Sequence, residues 1–235
     1  VSDSSDSEKI NTSVNQLLNE NILFEVGQHS EKVYDCDLMV VSPGVPSDAP
    51  VLKTALEHKI KVISELEFAS LFCKAKIIAI TGTNGKTTTT SLCEHLFNVC
   101  GAKTFSAGNI GLAFSEIVPD LKENEFVSLE VSSFQLDWID KFKPNVAMIL
   151  NITPDHLNRY ENKFENYITS KLSIYKNQDE NDFLILNKDN HTLMNSITTH
   201  KSKDLFFVLA KEQADGCSVS NDEVEYRADG VVDFK

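Results

Sequence analysis

Residues 76–87 read Lys76-Ile77-Ile78-Ala79-Ile80-Thr81-Gly82-Thr83-Asn84-Gly85-Lys86-Thr87, with three more threonines directly behind. The run 76–80 is short, apolar and rich in β-branched residues, which predicts a buried parallel strand. Thr87 to Val99 predicts a helix that sets Leu92, Leu96 and Val99 on one face. Between strand and helix, Gly82 and Gly85 can take the backbone angles that let successive N–H groups converge on an anion. Lys86 adds a point charge for terminal phosphates, and the Thr87 hydroxyl suits Mg²⁺. Thr83, Asn84 and Thr88 complete the loop, and the helix N-terminus adds its partial positive charge. Ile80 stands where the usual G-x-x-x-x-G-K-[ST] spacing has its first glycine, so the motif here is Gly82-x-x-Gly85-Lys86-Thr87. A chance Gly-Lys-Thr in a surface turn would lack the flanking strand and helix. The pattern implies a site for a nucleoside triphosphate.

Upstream of the loop, Leu38 to Val41 and Lys61 to Ile63 read as strands. A helix over Ala49 to His58 would be capped by Ser47 or Asp48, with Pro50 in its first turn, and a second helix runs from Glu65 to Phe72. The polar junction Lys74-Ala75-Lys76 marks the boundary between a first domain, 1–73, and a second, 74–235. Downstream, strands are expected at Thr104-Phe105, Phe126 to Val131, Val146 to Leu150, Phe183 to Leu186 and Leu205 to Leu209. Strands alternating with helices imply a mostly parallel sheet covered on both faces. Short alternating runs around Asp229-Gly230 read as a hairpin. The Asn/Ser/Asp-rich start and the stretch Asn177 to Asp182 read as loops.

A net charge of −13 over 235 residues offers no basic stripe for nucleic acid. No stretch approaches the ~20 apolar residues needed to span a bilayer, and no signal-peptide pattern opens the chain. Five cysteines without a C-x-x-C pair are expected as reduced, mostly buried thiols of a cytosolic protein, rather than a zinc site or disulfide framework.

A phosphate loop needs a carboxylate for Mg²⁺, usually at the end of a neighbouring apolar strand, and Glu130 ends Phe126-Val127-Ser128-Leu129. Its continuation is Val131-Ser132-Ser133-Phe134-Gln135-Leu136. Two further signatures follow, Asn151-Ile152-Thr153-Pro154-Asp155-His156-Leu157-Asn158-Arg159-Tyr160 and Tyr167-Ile168-Thr169-Ser170-Lys171-Leu172-Ser173-Ile174-Tyr175. Taken from spacing alone, His156 reads as a surface or capped histidine, Lys171 as a solvated lysine, and Asn109, beside Gly108 and Gly111, as a turn residue.

Together these segments resemble the Mur ligases, ATP-dependent amide-forming enzymes of peptidoglycan precursor synthesis. Val41-Ser42-Pro43-Gly44-Val45, Ala107-Gly108-Asn109-Ile110-Gly111 and the Ser-Ser-Phe-Gln-Leu segment are most similar to the D-glutamate-adding branch. The resemblance runs from Val1 to about Leu209. It implies a partial Rossmann-like N-terminal domain for the UDP-substrate, followed by a P-loop NTPase-like, mostly parallel sheet. It also implies ATP, two Mg²⁺ ions, UDP-N-acetylmuramoyl-L-alanine and D-glutamate, in a cytoplasmic monomer.

Residue by residue, Lys86 and Thr87 would hold phosphate and one Mg²⁺, Glu130 would ligate that ion, and His156 a second. Lys171 would be carried as a carbamate at the metal site, and Asn109, Ser132 and Gln135 would line the muramoyl site. Asn158 stands where the family more usually has Asp and takes no role. Asp3, Ser4 and Ser5 match a loop bordering the uridine pocket, although an arginine usual there is absent. The chain opens without Met on what reads as a strand end and a polar turn. It is expected to lack its first strand and a C-terminal amino-acid-binding domain, and so to bind ATP without joining D-glutamate. The rivals are another ligase of this fold, of the folylpolyglutamate type, and a non-catalytic, partner-dependent ATP-binding subunit. The segment 130–136 argues against the first, and the cysteine spacing against a zinc-ribbon relative of the second.

Overall fold

The computed structural model describes residues 1–5, 10–209, 216–220, 223–228 and 231–234. Packing divides the chain into two compact units, Val1–Val41 with Ser47–Ile63, and Ser42–Pro46 with Ser64–Lys235.

The first unit contains β1 (Ser2–Asp3), α1 (Ile10–Asn19), β2 (Glu25–Val26), β3 (Leu38–Val41), α2 (Pro50–Glu57) and β4 (Lys61–Ser64). β1 pairs in parallel with β2, Ser2 opposite Glu25, and β3 pairs with β4. The strand end expected at the start of the chain is therefore present. Helix α1, in contrast, occupies part of the polar start read as loop. Its Asn, Thr and Ser residues mask the signal, while Ile10, Val14 and Leu17 fall at helical spacing. Helix α2 carries Pro50 at its first position but is capped by Ala49 without a side-chain bond, so neither Ser47 nor Asp48 serves. The fixed φ of Pro50 suffices to set the start.

The second unit continues with α3 (Glu65–Ser70), β5 (Lys76–Thr81), α4 (Lys86–Val99), β6 (Thr104–Gly108), α5 (Phe114–Ile117), β7 (Phe126–Glu130) and α6 (Ser133–Leu136). Then come β8 (Val146–Ile149), α7 (Phe164–Leu172), β9 (Phe183–Asn187), α8 (His191–Ser196), β10 (Lys203–Leu209), β11 (Gly216–Ser220), β12 (Glu223–Ala228) and β13 (Val231–Phe234). The thirteen-to-six order β13-β12-β11-β10-β9-β8-β5-β7-β6 makes one sheet. Neighbours from β6 through β11 run parallel, and β12 and β13 add on antiparallel. The expected hairpin matches β12 and β13, although Asp229 and Gly230 lie outside the described residues. Strands β5 and β8 are apolar on both sides. In β5, Ile77 and Ala79 enter one buried cluster and Ile78 and Ile80 the other, and β8 divides likewise. That is the two-sided burial of a parallel sheet sandwiched by helices.

Three expectations need correction. The side of α4 carrying Leu92, Leu96 and Val99 is 50%, 51% and 72% exposed. Its inward side holds Thr90, Cys93 and Phe97, because the phase of the helix is set by the glycine loop and the sheet beneath it rather than by its most apolar stripe. The unit boundary falls between Ile63 and Ser64, not at 73/74. Leu66 and Ala69 of α3 belong to the larger core, and the Glu67 carboxylate accepts the N–H groups of Asp140, Lys141 and Phe142. The five cysteines are free as expected, but Cys36 and Cys100 are exposed and the other three only half-buried.

Candidate nucleotide and metal site

Register places the C-terminal ends of three strands side by side, with Ile80 of β5 opposite Glu130 of β7 and Met148 of β8. Open parallel sheets bind ligands at this edge. The loop 82–85 leaves β5 here and enters α4 through Gly85, whose φ of 87° is left-handed and favours glycine. No side chain caps the helix, and the first main-chain bond spanning its start runs from Thr89 N–H to Gly85 O. The N–H groups ahead of it are open to an anion.

Lys86 Nζ donates to Gly82 O and Thr83 O, both at 3.0 Å, and so already lies over the loop. Thr87 Oγ1 donates to Glu130 Oε2 at 2.7 Å, and Asn109 Nδ2 donates to Oε1 at 2.9 Å. Glu130 is thus buried between the loop and β6. A Cβ on Gly108 would stand 2.4 Å from Glu130 O, so glycine is what lets the two strands approach there. A hydroxyl and a carboxylate in contact are hard oxygen donors that fit Mg²⁺. Among the described residues no three His, Cys, Asp or Glu side chains form a cage.

Lys171, on the inner side of α7, is 2% exposed, far from the solvated lysine that spacing alone suggested. Its Nζ donates to Gly82 O at 2.9 Å and lies 4.8 Å from the centre of the Tyr167 ring. Tyr167 OH in turn meets Thr83 Oγ1 at 3.3 Å. Burial, and next the nearby Lys86 cation, bring the Lys171 pKa down to about 7. The unfolded chain therefore binds a proton that the folded chain lacks between about pH 7 and the ordinary lysine value near 10.4. Stability should rise with pH across that window, by up to about 1.4 kcal/mol per pH unit, and fall as pH drops toward 7. Denaturant titrations in CO₂-free buffer should show this rise in the parent and its loss in Lys171→Met. A parent curve flat from pH 7 to pH 10 (about the limits set by the two pKa values) would contradict it.

The other expected residues divide. His156 adopts a left-handed φ of 50° ahead of the turn Leu157–Arg159. Its side chain is 57% exposed, 3.5 Å from Asp155 Oδ2 and edge-on to Phe134. Among the described residues its contacts do not reach Thr87, Glu130 or Lys171. Ser132 and Gln135 are buried and bond one another in a capping box at the start of α6. The S-x-x-Q spacing could have announced that box. Asn109 does more than serve a turn, since both its main-chain and side-chain N–H groups donate to Glu130. Tyr167 was not singled out, although its position four residues before Lys171 on one helix places the two side chains together. A cavity of about 800 Å³ lies elsewhere. Its lining from Glu165 to Asp179 and Ser196 to Lys201 includes the loops entering β9 and β10, at the opposite edge of the sheet.

A strand, a glycine loop, a helix N-terminus and a carboxylate on the adjacent strand define a P-loop nucleotide-binding α/β domain. Residues 80–233 match the family model of the Mur ligase middle domain, and residues 3–51 that of the MurD N-terminal domain. This chain belongs to the Mur ligase family. A UDP-N-acetylmuramoylalanine--D-glutamate ligase of Chloroherpeton thalassium is 51% identical over 178 residues, covering 74% of this chain and 38% of the relative. The enzyme of that name from Koribacter versatilis is 43% identical over 231 residues, covering 97% of this chain and 50% of the relative. The chain therefore spans about half the length, or less, of these curated relatives. Among solved structures, the UDP-N-acetylmuramate:L-alanyl-gamma-D-glutamyl-meso-diaminopimelate ligase from Neisseria meningitides superposes with a TM-score of 0.57 at 16% identity. The match covers 98% of this chain and 76% of that one, a likeness of fold. Among the described residues no helix is long and apolar enough to cross a membrane.

Proposed function

We propose that this chain belongs to an ATP-dependent ligase that joins D-glutamate to UDP-N-acetylmuramoyl-L-alanine during peptidoglycan precursor synthesis. The observation that carries the reading is the loop Gly82–Thr87 folded against Glu130, in a chain 43% identical over nearly its whole length to a ligase bearing that name. The muramoyl-alanine carboxylate attacks the γ-phosphorus of ATP, expelling ADP and forming an acyl phosphate. The amine of D-glutamate then attacks the acyl carbon, and the tetrahedral adduct collapses with loss of inorganic phosphate and of the amine proton.

Carboxylate and polyphosphate repel each other, so the protein's task is to position them and neutralise charge. Lys86 is to exchange the carbonyls of Gly82 and Thr83 for phosphate oxygens, while the opening N–H groups of α4 take the others. Thr87 and Glu130 would hold Mg²⁺, which when bound screens the phosphate charge and polarises the phosphoryl oxygens. His156 is assigned to a second ion, and Asn109, Ser132 and Gln135 to the muramoyl side. The first unit would hold the UDP moiety, and the protein would act as a cytoplasmic monomer.

Lys171 is the residue whose environment best supports a special role. An amine held near pKa 7 is substantially neutral at physiological pH and can add CO₂, releasing a proton and becoming an anionic carbamate. Labelled bicarbonate should give a carbamate carbon signal that disappears in Lys171→Ala. Active protein without that signal would leave Lys171 an ordinary buried amine. The function itself is tested by ADP release from the intact protein. Release should require both UDP-N-acetylmuramoyl-L-alanine and D-glutamate. Turnover with a folate and glutamate instead would overturn the assignment.

A further inference from the structure

We propose that Asn151 is a positioning residue for the phosphate loop: its side-chain amide holds the Asn84–Gly85 peptide in the direction that aims the Gly85 N–H at bound phosphate. The proposal rests on the nucleotide-binding reading above and concerns a residue given no role there.

The β5–β8 ladder ends with Thr81 opposite Ile149. Pairing nevertheless continues, because Leu150 N–H donates to Thr81 O and Thr83 N–H donates to Asn151 O, each at 3.0 Å. The next rung is made by a side chain. Asn84 N–H donates to Asn151 Oδ1 at 2.9 Å, and Asn151 Nδ2 donates back to Asn84 O at 3.0 Å. A primary amide offers the donor and acceptor of a peptide unit, so Asn151 acts as one more residue of strand. Thr83 adds a second fastening, with Oγ1 donating to Thr153 O and accepting from Thr153 N–H, both at 3.0 Å.

The consequence follows from peptide geometry. In a trans peptide the C=O and the following N–H point in opposite directions. Holding Asn84 O toward Asn151 turns the Gly85 N–H to the other side, toward the open N-terminus of α4. Holding Asn84 N–H the same way turns Thr83 O outward, and that is an oxygen Lys86 Nζ takes at 3.0 Å. Gly85 lacks the side chain that would resist a turn of this peptide. A turned peptide would present a carbonyl oxygen to the phosphates and convert attraction into repulsion. Asn151 Nδ2 opposes that turn directly through Asn84 O, while Oδ1 fixes the preceding peptide through Asn84 N–H, and among the described residues no other side chain bonds Asn84's main chain.

The test is ADP binding to the intact protein by calorimetry, with folding of each variant checked by circular dichroism. Asn151→Ala should weaken ADP by about three- to tenfold, the scale of losing two hydrogen bonds at the protein surface. Asn151→Asp should lose at least as much near pH 8, where a carboxylate faces Asn84 O. Toward about pH 4, where an ordinary Asp carboxyl is about half protonated, its affinity should begin to recover relative to the parent, since a protonated carboxyl again offers one donor and one acceptor. The ratio for Asn151→Ala should stay flat over that range. Unchanged affinity in Asn151→Ala, or flat ratios for both variants, would overturn the proposal. A variant-free check is amide exchange in the parent: Asn84 N–H should be protected without ligand, and Gly85 N–H only once ADP binds. The reverse order would overturn it too. A parent that fails to bind ADP would remove the nucleotide reading itself, whereas normal binding by parent and Asn151→Ala alike removes only this inference.

Discussion

Lys86→Ala is expected to lower ATP turnover by about 10²–10³-fold, the range typical of removing one essential charge-stabilising donor. It should also weaken ATP binding. The ammonium already lies over the loop through Gly82 O and Thr83 O, so it reaches phosphate without rearrangement of the main chain. The remaining helix N–H groups supply partial charges only, which is why the loss falls on the charged steps. A second effect separates this lysine from a merely structural one. Lys86 is one of the groups that lower the Lys171 pKa, so its removal should move that pKa upward and shrink the stability rise above pH 7. Equal turnover and equal ATP affinity in the parent and Lys86→Ala would sink the phosphate assignment.

Glu67→Ala should be the most destabilising single change. The carboxylate is almost fully buried, accepting Lys141 N–H at 2.9 Å on one oxygen and Asp140 N–H at 3.0 Å and Phe142 N–H at 2.7 Å on the other. Those three donors belong to the turn that delivers the chain into β8. Alanine leaves these donors, two part-buried and one buried, without that acceptor, at a cost of about 2–4 kcal/mol, the range for removing one partner of several hydrogen bonds to a charged group. In a chain of this size that corresponds to a melting temperature lower by on the order of 10 °C. Glu67→Gln should lose less, keeping one amide oxygen while turning an NH₂ toward a main-chain donor. An alanine variant that melts with the parent would show that the turn holds itself.

Glu67 also illustrates what could not be read in advance. An acidic residue in Glu65-Leu66-Glu67 looks like any exposed position in a first helical turn, and its three partners lie more than seventy residues away. The exposed stripe of α4 failed for a related reason. Leu92, Leu96 and Val99 form the more apolar side by spacing, yet the inward direction is set by where Gly85 releases the helix and by Ser128 bonding Thr90 O beneath it. Strand positions fared better, because a β-branched apolar run such as 76–80 has few stable alternatives once buried on both sides.

The sequence by itself determined the strand–loop–helix at Gly82 to Thr87, the acidic strand end at Glu130 and the alternating order that yields a parallel sheet. These depend on neighbours a few residues apart, where spacing and backbone preference act directly. Only the tertiary structure decided that Lys171 lies buried on Gly82 O, that Ser132 and Gln135 satisfy each other, and that His156 faces solvent beside Asp155. Desolvation and charge coupling act through space between groups distant in the chain, as Gly82 and Lys171 are, 89 residues apart. A lysine's sequence neighbours cannot report whether water surrounds its amine, and that is what separates a solvated cation from a buried base.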